Sequence, residues 1–118
     1  MSATATPTKD EIIGGLNFLE NLVLTDESRW TKGAFKDRNG KGDDCFCLAG
    51  GAKEAGRQLA GSEDSPIVQA MTRELALTIT NGASDQDSRI FSFNDVSTRK
   101  FSEIRDVIVR TRKRVMGF

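Results

Sequence analysis

Four groups of residues in this chain carry side chains that could do chemistry. The first is Asp43-Asp44-Cys45-Phe46-Cys47, two carboxylates running into a Cys-x-Cys pair. Two thiolates make half of a tetrahedral zinc site, and a thiol at a helix N-terminus can be acidified into a nucleophile. Both readings meet obstacles. The chain has no histidine, so zinc would need Asp43, Asp44 or a second chain to complete its shell. The same carboxylates oppose formation of a thiolate, and a disulfide at this spacing within a helix is strained. Cysteine is also a small residue that behaves as a buried hydrophobe. Reduced, buried, structural cysteines are the leading expectation, with a reactive thiol and a metal site as alternatives.

The second group, Leu48-Ala-Gly-Gly-Ala-Lys53, has the look of a phosphate loop. It lacks the Gly-x-x-x-x-Gly-Lys-Ser/Thr spacing and an apolar strand before it. The third is basic: Arg105, Arg110, Arg112, Lys113 and Arg114. Cations near a helix C-terminus complement its dipole, and Arg110 can pair with Asp106 one turn earlier. These charges do not form one stripe, so a solvated helix end is expected ahead of a nucleic-acid contact. The fourth is Asn94-Asp95, short polar side chains that can satisfy turn or cap hydrogen bonds or orient a ligand at a helix start.

Composition narrows the chemistry further. With neither histidine nor tyrosine, there is no Ser-His or Cys-His nucleophile pair and no imidazole base. A carboxylate- or lysine-dependent enzyme is left. Seventeen basic and seventeen acidic residues cancel, which removes a whole-protein pull on nucleic acid or anionic membrane. No apolar run reaches the length of a membrane span, and the start Met-Ser-Ala-Thr-Ala-Thr-Pro has neither the basic nor the apolar part of a signal peptide. No cofactor is implied.

The elements that must position these groups are mostly helices. Thr8-Lys-Asp-Glu11 is a capping box ahead of a stripe of Ile12, Leu16, Leu19 and Val23, widened by Phe18 and Leu22. Gly14-Gly15 within it points to close helix contact. Residues 25–42 are polar and irregular, with Trp30 to Phe35 as a helical turn or short strand and a turn over residues 37–42. The organising stretch follows, read as one helix from Asp43 to Ala60. Asp43 or Asp44 caps it, Gly61 ends it, and Cys45, Leu48, Ala52, Ala55, Gly56 and Leu59 share a face of little bulk. Ser65-Pro66 starts the next helix, with Ile67, Met71, Leu75 and Ile79 buried and Asn81-Gly82 as its stop. Residues 83–89 read as a surface loop, and Ile90, Phe91 and Phe93 as a short segment of helical or β type. The last helix spans about Ser97 to Val115, with Phe101, Ile104, Ile108 and Val115 inside and Val107 and Thr111 at the edge.

Taken together, three short pieces resemble an uncharacterised family of small bacterial and phage proteins. They are Trp30 with Gly33-Ala34; Cys47-Leu48-x-Gly50-Gly51-Ala52; and Phe93-Asn94-Asp95 followed by Arg99 and Glu103-Ile104. Family members are expected to show Trp-x-x-Gly-Ala, Trp-Cys-Leu-x-Gly-Ala-Leu, and Trp-Asn-Asp with a following Arg and Glu-Val. Here Phe46 and Phe93 stand in place of tryptophans, Gly51 is an added glycine, and Lys100 replaces a capping threonine. The resemblance covers roughly residues 28–110 and implies a bacterial or phage setting but no activity.

The expectation is a mainly α protein of about four packed helices with a short hairpin or extended segment. Residues 1–7 form a disordered tail and residues 8–118 a single helical domain. The leading function is that of a cytoplasmic, non-enzymatic accessory or regulatory protein that binds a protein partner, in a phage or mobile-element setting. The alternatives are nucleic-acid binding through the basic C-terminal helix and a small thiol- or carboxylate-dependent enzyme. The candidate binding residues are Arg29, Trp30, Phe93, Asn94, Asp95 and Arg99, expected to meet around one shallow patch; catalytic and metal-binding residues are not assigned. Oligomeric state leaves no mark on the sequence.

Overall fold

The computed structural model describes residues 6–79 and 86–117. They form a mainly α protein, with five helices packed together and one short hairpin. Helix α1 (Lys9–Phe18) opens on the expected capping box: Thr8 Oγ1 accepts from the Glu11 N–H (3.1 Å), and Glu11 Oε1 accepts from the Thr8 N–H (2.8 Å). The chain then widens into a π turn over Leu19–Val23. Ile12, Leu16, Leu19 and Val23 are buried as their spacing predicts. Leu22 is not; it is 62% exposed. An i→i+5 turn carries Leu22 further round the axis from Leu19 than an α turn would, and so out of the stripe.

The stretch read as one long helix divides in two. After a 3₁₀ turn at Glu27–Arg29, strands β1 (Lys36–Arg38) and β2 (Asp44–Phe46) pair antiparallel, with Asp37 opposite Cys45. Trp30 bridges Phe46 on the other side of β2, in parallel sense. Phe46 is thus bonded along both edges, an arrangement in which its backbone is satisfied without any helix. Helix α2 (Leu48–Ala60) begins only afterwards. Its N-cap is Cys47, whose sulfur accepts from the Gly50 N–H (3.3 Å), in place of Asp43 or Asp44. Gly61 closes α2 in the left-handed conformation (φ +83°), as expected. Leu59 lies outside the packed face, 49% exposed.

The small-residue face of α2 does admit close neighbours. A Cβ on Gly50 would overlap the Phe35 carbonyl oxygen, and one on Gly56 would overlap Val68 Cγ2. Helix α3 (Pro66–Ile79) starts where Ser65-Pro66 predicts. It is the Ser65 carbonyl that takes the Val68 N–H (3.0 Å); the Ser65 hydroxyl is buried with no hydrogen-bond partner among the described residues. Met71 and Leu75 are fully buried, and Ile67 and Ile79 partly so. The Asn81-Gly82 stop lies outside the described residues.

Helix α4 (Gln86–Asn94) occupies much of what reads as loop and extended chain. Its buried residues are Ile90 and Asn94, one turn apart. An asparagine in the second apolar slot hides that periodicity from hydrophobic patterning. Helix α5 (Phe101–Met116) begins later than Ser97, at Lys100, which has no side-chain acceptor to offer the first turn. Glu103 Oε1 instead takes the Lys100 N–H (2.8 Å). The centre of its buried stripe is Ile104, Val107, Ile108 and Thr111, so the two residues expected at the edge lie in the middle.

The glycines separate close approach from open space. Gly50→Ala should destabilise by more than about 2 kcal/mol, since backbone rather than a movable side chain is in the way. Gly14→Ala has nothing within 4 Å of the new carbon and should stabilise by roughly 0.5–1 kcal/mol through helix propensity. Urea unfolding of the two variants checks this; losses of equal size would contradict the assignment.

Candidate functional site

Asn94 ends α4 and is fully buried. Its Oδ1 accepts from Trp30 Nε1–H (2.6 Å) and from the Leu48 N–H (3.0 Å). Its Nδ2 donates to the Thr31 carbonyl (2.9 Å) and to Asp95 Oδ1 (2.9 Å). A carboxamide can accept two bonds and donate two, so every position is filled from within the protein. One side chain therefore ties together the end of α4, the first turn of α2 and the segment that leads into the hairpin.

Asp95 extends the lock. The same Oδ1 accepts from the Gly33 N–H (3.0 Å). Gly33 has φ +83°, in the left-handed region where a side chain is strained. Lys32 then crosses to the α4–α5 turn, donating to the Val96 (2.8 Å) and Ser97 (3.2 Å) carbonyls, with its ammonium 5.3 Å from the centre of the Trp30 ring. Sequence reading missed Lys32 because a lone lysine in a polar segment carries no spacing signal.

The three sequence pieces meet at this point, Trp30, the start of α2 and Asn94-Asp95, but not as one open patch. Trp30 lies tilted against Phe101, with ring centres 6.0 Å apart. Phe93 lies instead beneath Arg99, whose guanidinium is 3.7 Å from the ring centre. Arg99 Nε also donates to the Phe93 carbonyl (2.8 Å), and its Nη1 pairs with Glu103 (3.4 Å). Arg29 reaches away to the hairpin and donates to the Asp44 carbonyl (2.5 Å). Each of these bonds braces one segment against another.

Cys45 and Cys47 are free thiols and both are buried. Burial pushes the Cys47 thiol above its ordinary range, and the Asp95 charge adds to that, against the opposing N–H groups of Gly50 and Ala49. A neutral thiol is a poor nucleophile. No cluster of three or more Cys, Asp or Glu that could hold a metal occurs among the described residues.

Two concave surfaces can be described from the residues the structure describes. A cleft of about 330 Å³ lies between the hairpin, α2 and the start of α4. Six of its charges form pairs at or beside its wall, Lys53 with Asp87 (3.4 Å), Arg57 with Glu54 (2.5 Å) and Lys36 with Asp44 (3.7 Å), and Glu63 lines it as well. The bond from Arg57 holds the Glu54 carboxyl below the usual range. The second is a groove of about 440 Å³ between α1, the end of α2 and the start of α3, lined by Pro7, Gly14, Leu59, Pro66, Ile67 and their neighbours.

The basic helix is similarly matched. Arg112 (2.6 Å) and Arg105 (3.6 Å) both pair with Glu20, Arg114 with Glu74 (3.3 Å), and Arg110 with Asp106 (2.8 Å). No helix among the described residues is long and apolar enough to cross a membrane.

Over residues 21–114, about four fifths of its length, the sequence matches DUF6197, a family of unknown function. The chain belongs to that family. No curated protein and no solved structure matches it. The family span contains the whole Asn94 lock, whereas the α1 wall of the groove precedes it.

Asn94→Ala would leave an indole N–H, a backbone N–H and a carbonyl unpaired, and should cost roughly 2–4 kcal/mol. Asn94→Asp keeps the acceptor but sets a buried charge beside Asp95. That carboxyl's folded pKa should be raised, so its variant should be least stable at neutral pH and recover stability as the pH falls. Urea melts followed by Trp30 fluorescence test both; a variant as stable as the native chain would remove Asn94 from its bracing role.

The Cys47 thiol, with its folded pKa raised, contributes stability that is complete below the unfolded value of about 8.5 and lost as pH rises through the folded value. Serine is a favoured N-cap that does not titrate there. The native chain should therefore lose stability above about pH 8.5 more steeply than Cys47→Ser. Both thiols should alkylate slowly until denaturant is added; rapid labelling of the folded chain would contradict their burial.

Proposed function

We propose that this chain is a small non-enzymatic accessory or regulatory protein that acts by binding a protein partner. The observation that supports it is the groove between α1, α2 and α3, a concavity of about 440 Å³ with an apolar wall. Its size is that of a specific binding site, and the one titratable side chain among its described lining residues, Glu11, is already used to cap α1 by accepting from the Thr8 N–H. Of the residues that first suggested a site, Asn94 is buried with no bond left to offer, and Cys47 is buried as well. A cytoplasmic bacterial or phage setting, with a mobile-element association, rests on the motif resemblance alone. The pairing of four α5 arginines with Glu20, Glu74 and Asp106 weighs against nucleic-acid binding, because matched cations release few counterions from phosphate.

Site-specific photo-crosslinking tests the reading. A crosslinker at exposed Leu59, in lysate of the source cell, should give one saturable protein adduct that unlabelled chain competes away. A crosslinker at Arg38 on the hairpin should not give it. If no position yields a competed adduct, the partner-binding reading is wrong.

A further inference from the structure

We infer that the groove between α1, α2 and α3 receives a basic amphipathic helix from the partner, an inference that rests on the protein-binding reading above. The shape argues for a helix. Three helices bound the groove, and the lining includes no strand that could pair with an extended peptide. Gly14 leaves α1 bare on this side, since a Cβ there would meet nothing within 4 Å. Gly15 beside it is backed by Met71, whose sulfur would press on any Cβ added there. A second helix can thus approach α1 closely, over a floor that is already filled. Leu59, half exposed, and Ile67, partly buried, offer it apolar contact from α2 and α3. This is the helix-in-groove mode, in which apolar anchors at turn spacing enter and side chains flank the rim.

Charge selects which helix. Glu11 is the one charged residue among the described residues that line the groove. The α2–α3 turn that joins two of the lining residues, Ala60 and Pro66, carries the exposed Asp64, while its Glu63 lines the other cleft. The nearby cations point elsewhere. Lys9 falls about 160° from Glu11 around α1 at 3.6 residues per turn, and Arg57 is bound to Glu54 on the wall of the other cleft. An occupant with lysine or arginine beside its apolar stripe meets complementary charge, and an acidic one meets repulsion.

The test uses the full chain, isotope-labelled, and two synthetic helical peptides with the same leucine stripe, one flanked by lysines and one by glutamates. The lysine peptide should shift the amide signals of Gly14, Gly15, Leu59 and Ile67, and should bind more weakly as salt is added. Glu11→Gln keeps the capping box, which accepts glutamine, yet removes the charge. It should weaken the lysine peptide roughly two- to fivefold, the range for an exposed ion pair, and leave the chain folded, with only the small loss of stability expected of a neutralised carboxylate in a first helical turn. Leu59→Lys should weaken it about tenfold or more, the effect of a charge placed at an apolar contact.

Equal binding of the two peptides, shifts away from the groove, or no binding overturns the inference. So do the same shifts produced by raising the chain's own concentration, which would make a second copy the occupant. Octylammonium binding as tightly as the lysine peptide would make the groove a site for small amphiphiles. A competed adduct from Leu59 without lysine-peptide preference would keep a protein partner and remove the basic helix.

Discussion

The fold turns on one buried carboxamide. Asn94 lies 46 residues from Leu48 and 63 from Thr31 in sequence, yet bonds to both. A buried polar group is costly unless its partners are complete, and a complete set specifies one arrangement of the surrounding chain. The set here is complete. It determines where α4 ends, where α2 begins and how the irregular segment after α1 is held against them. Trp30 supplies both a donor and a large apolar surface to the same point, and Asp95 adds the Gly33 turn.

That constraint explains what the sequence made legible and what it concealed. The capping box at Thr8–Glu11, the α1 stripe and the Ser65-Pro66 start are local devices, readable because cause and effect sit within one turn. So is the close approach to α2, since glycines and alanines at helical spacing announce it. The start of α2 was hidden because Cys47 caps with sulfur, a residue type outside the usual capping set. Helix α4 was hidden because Asn94 occupies an apolar slot, and β2 because the partner on its other edge, Trp30, lies well before Phe46 in sequence. Of the candidate binding residues, Trp30, Asn94 and Asp95 do come together, while Phe93 with Arg99 and Arg29 serve neighbouring joints. Spacing alone does not distinguish a residue that offers a bond outward from one whose bonds are all used inside.

Charge is organised on the same principle of local matching. Glu20 takes two α5 arginines across to the π turn after α1, and Lys53 joins α2 to α4 through Asp87. Ion pairs still in contact with water contribute little stability singly. Their effect is on the surface: a chain rich in arginine presents little unmatched positive charge along α5. The apolar groove stands out beside these paired surfaces, because its described lining holds one carboxylate, Glu11, and no cation.

The hairpin has a use that follows from how it is anchored. Thr31 and Leu48, the two ends of the excursion, are bonded to the same side chain, and the tip between Asn39 and Asp43 is closed by its own backbone bonds. Closure at the base is thus set by Asn94 and not by the length of chain beyond it. Lengthening a flexible loop adds only about 0.6 kcal/mol per doubling, and exposed tips are where inserted sequence is tolerated. The turn at residues 40–42 is therefore a natural place for an epitope or a fluorescent reporter, on a stalk whose foot the protein already clamps.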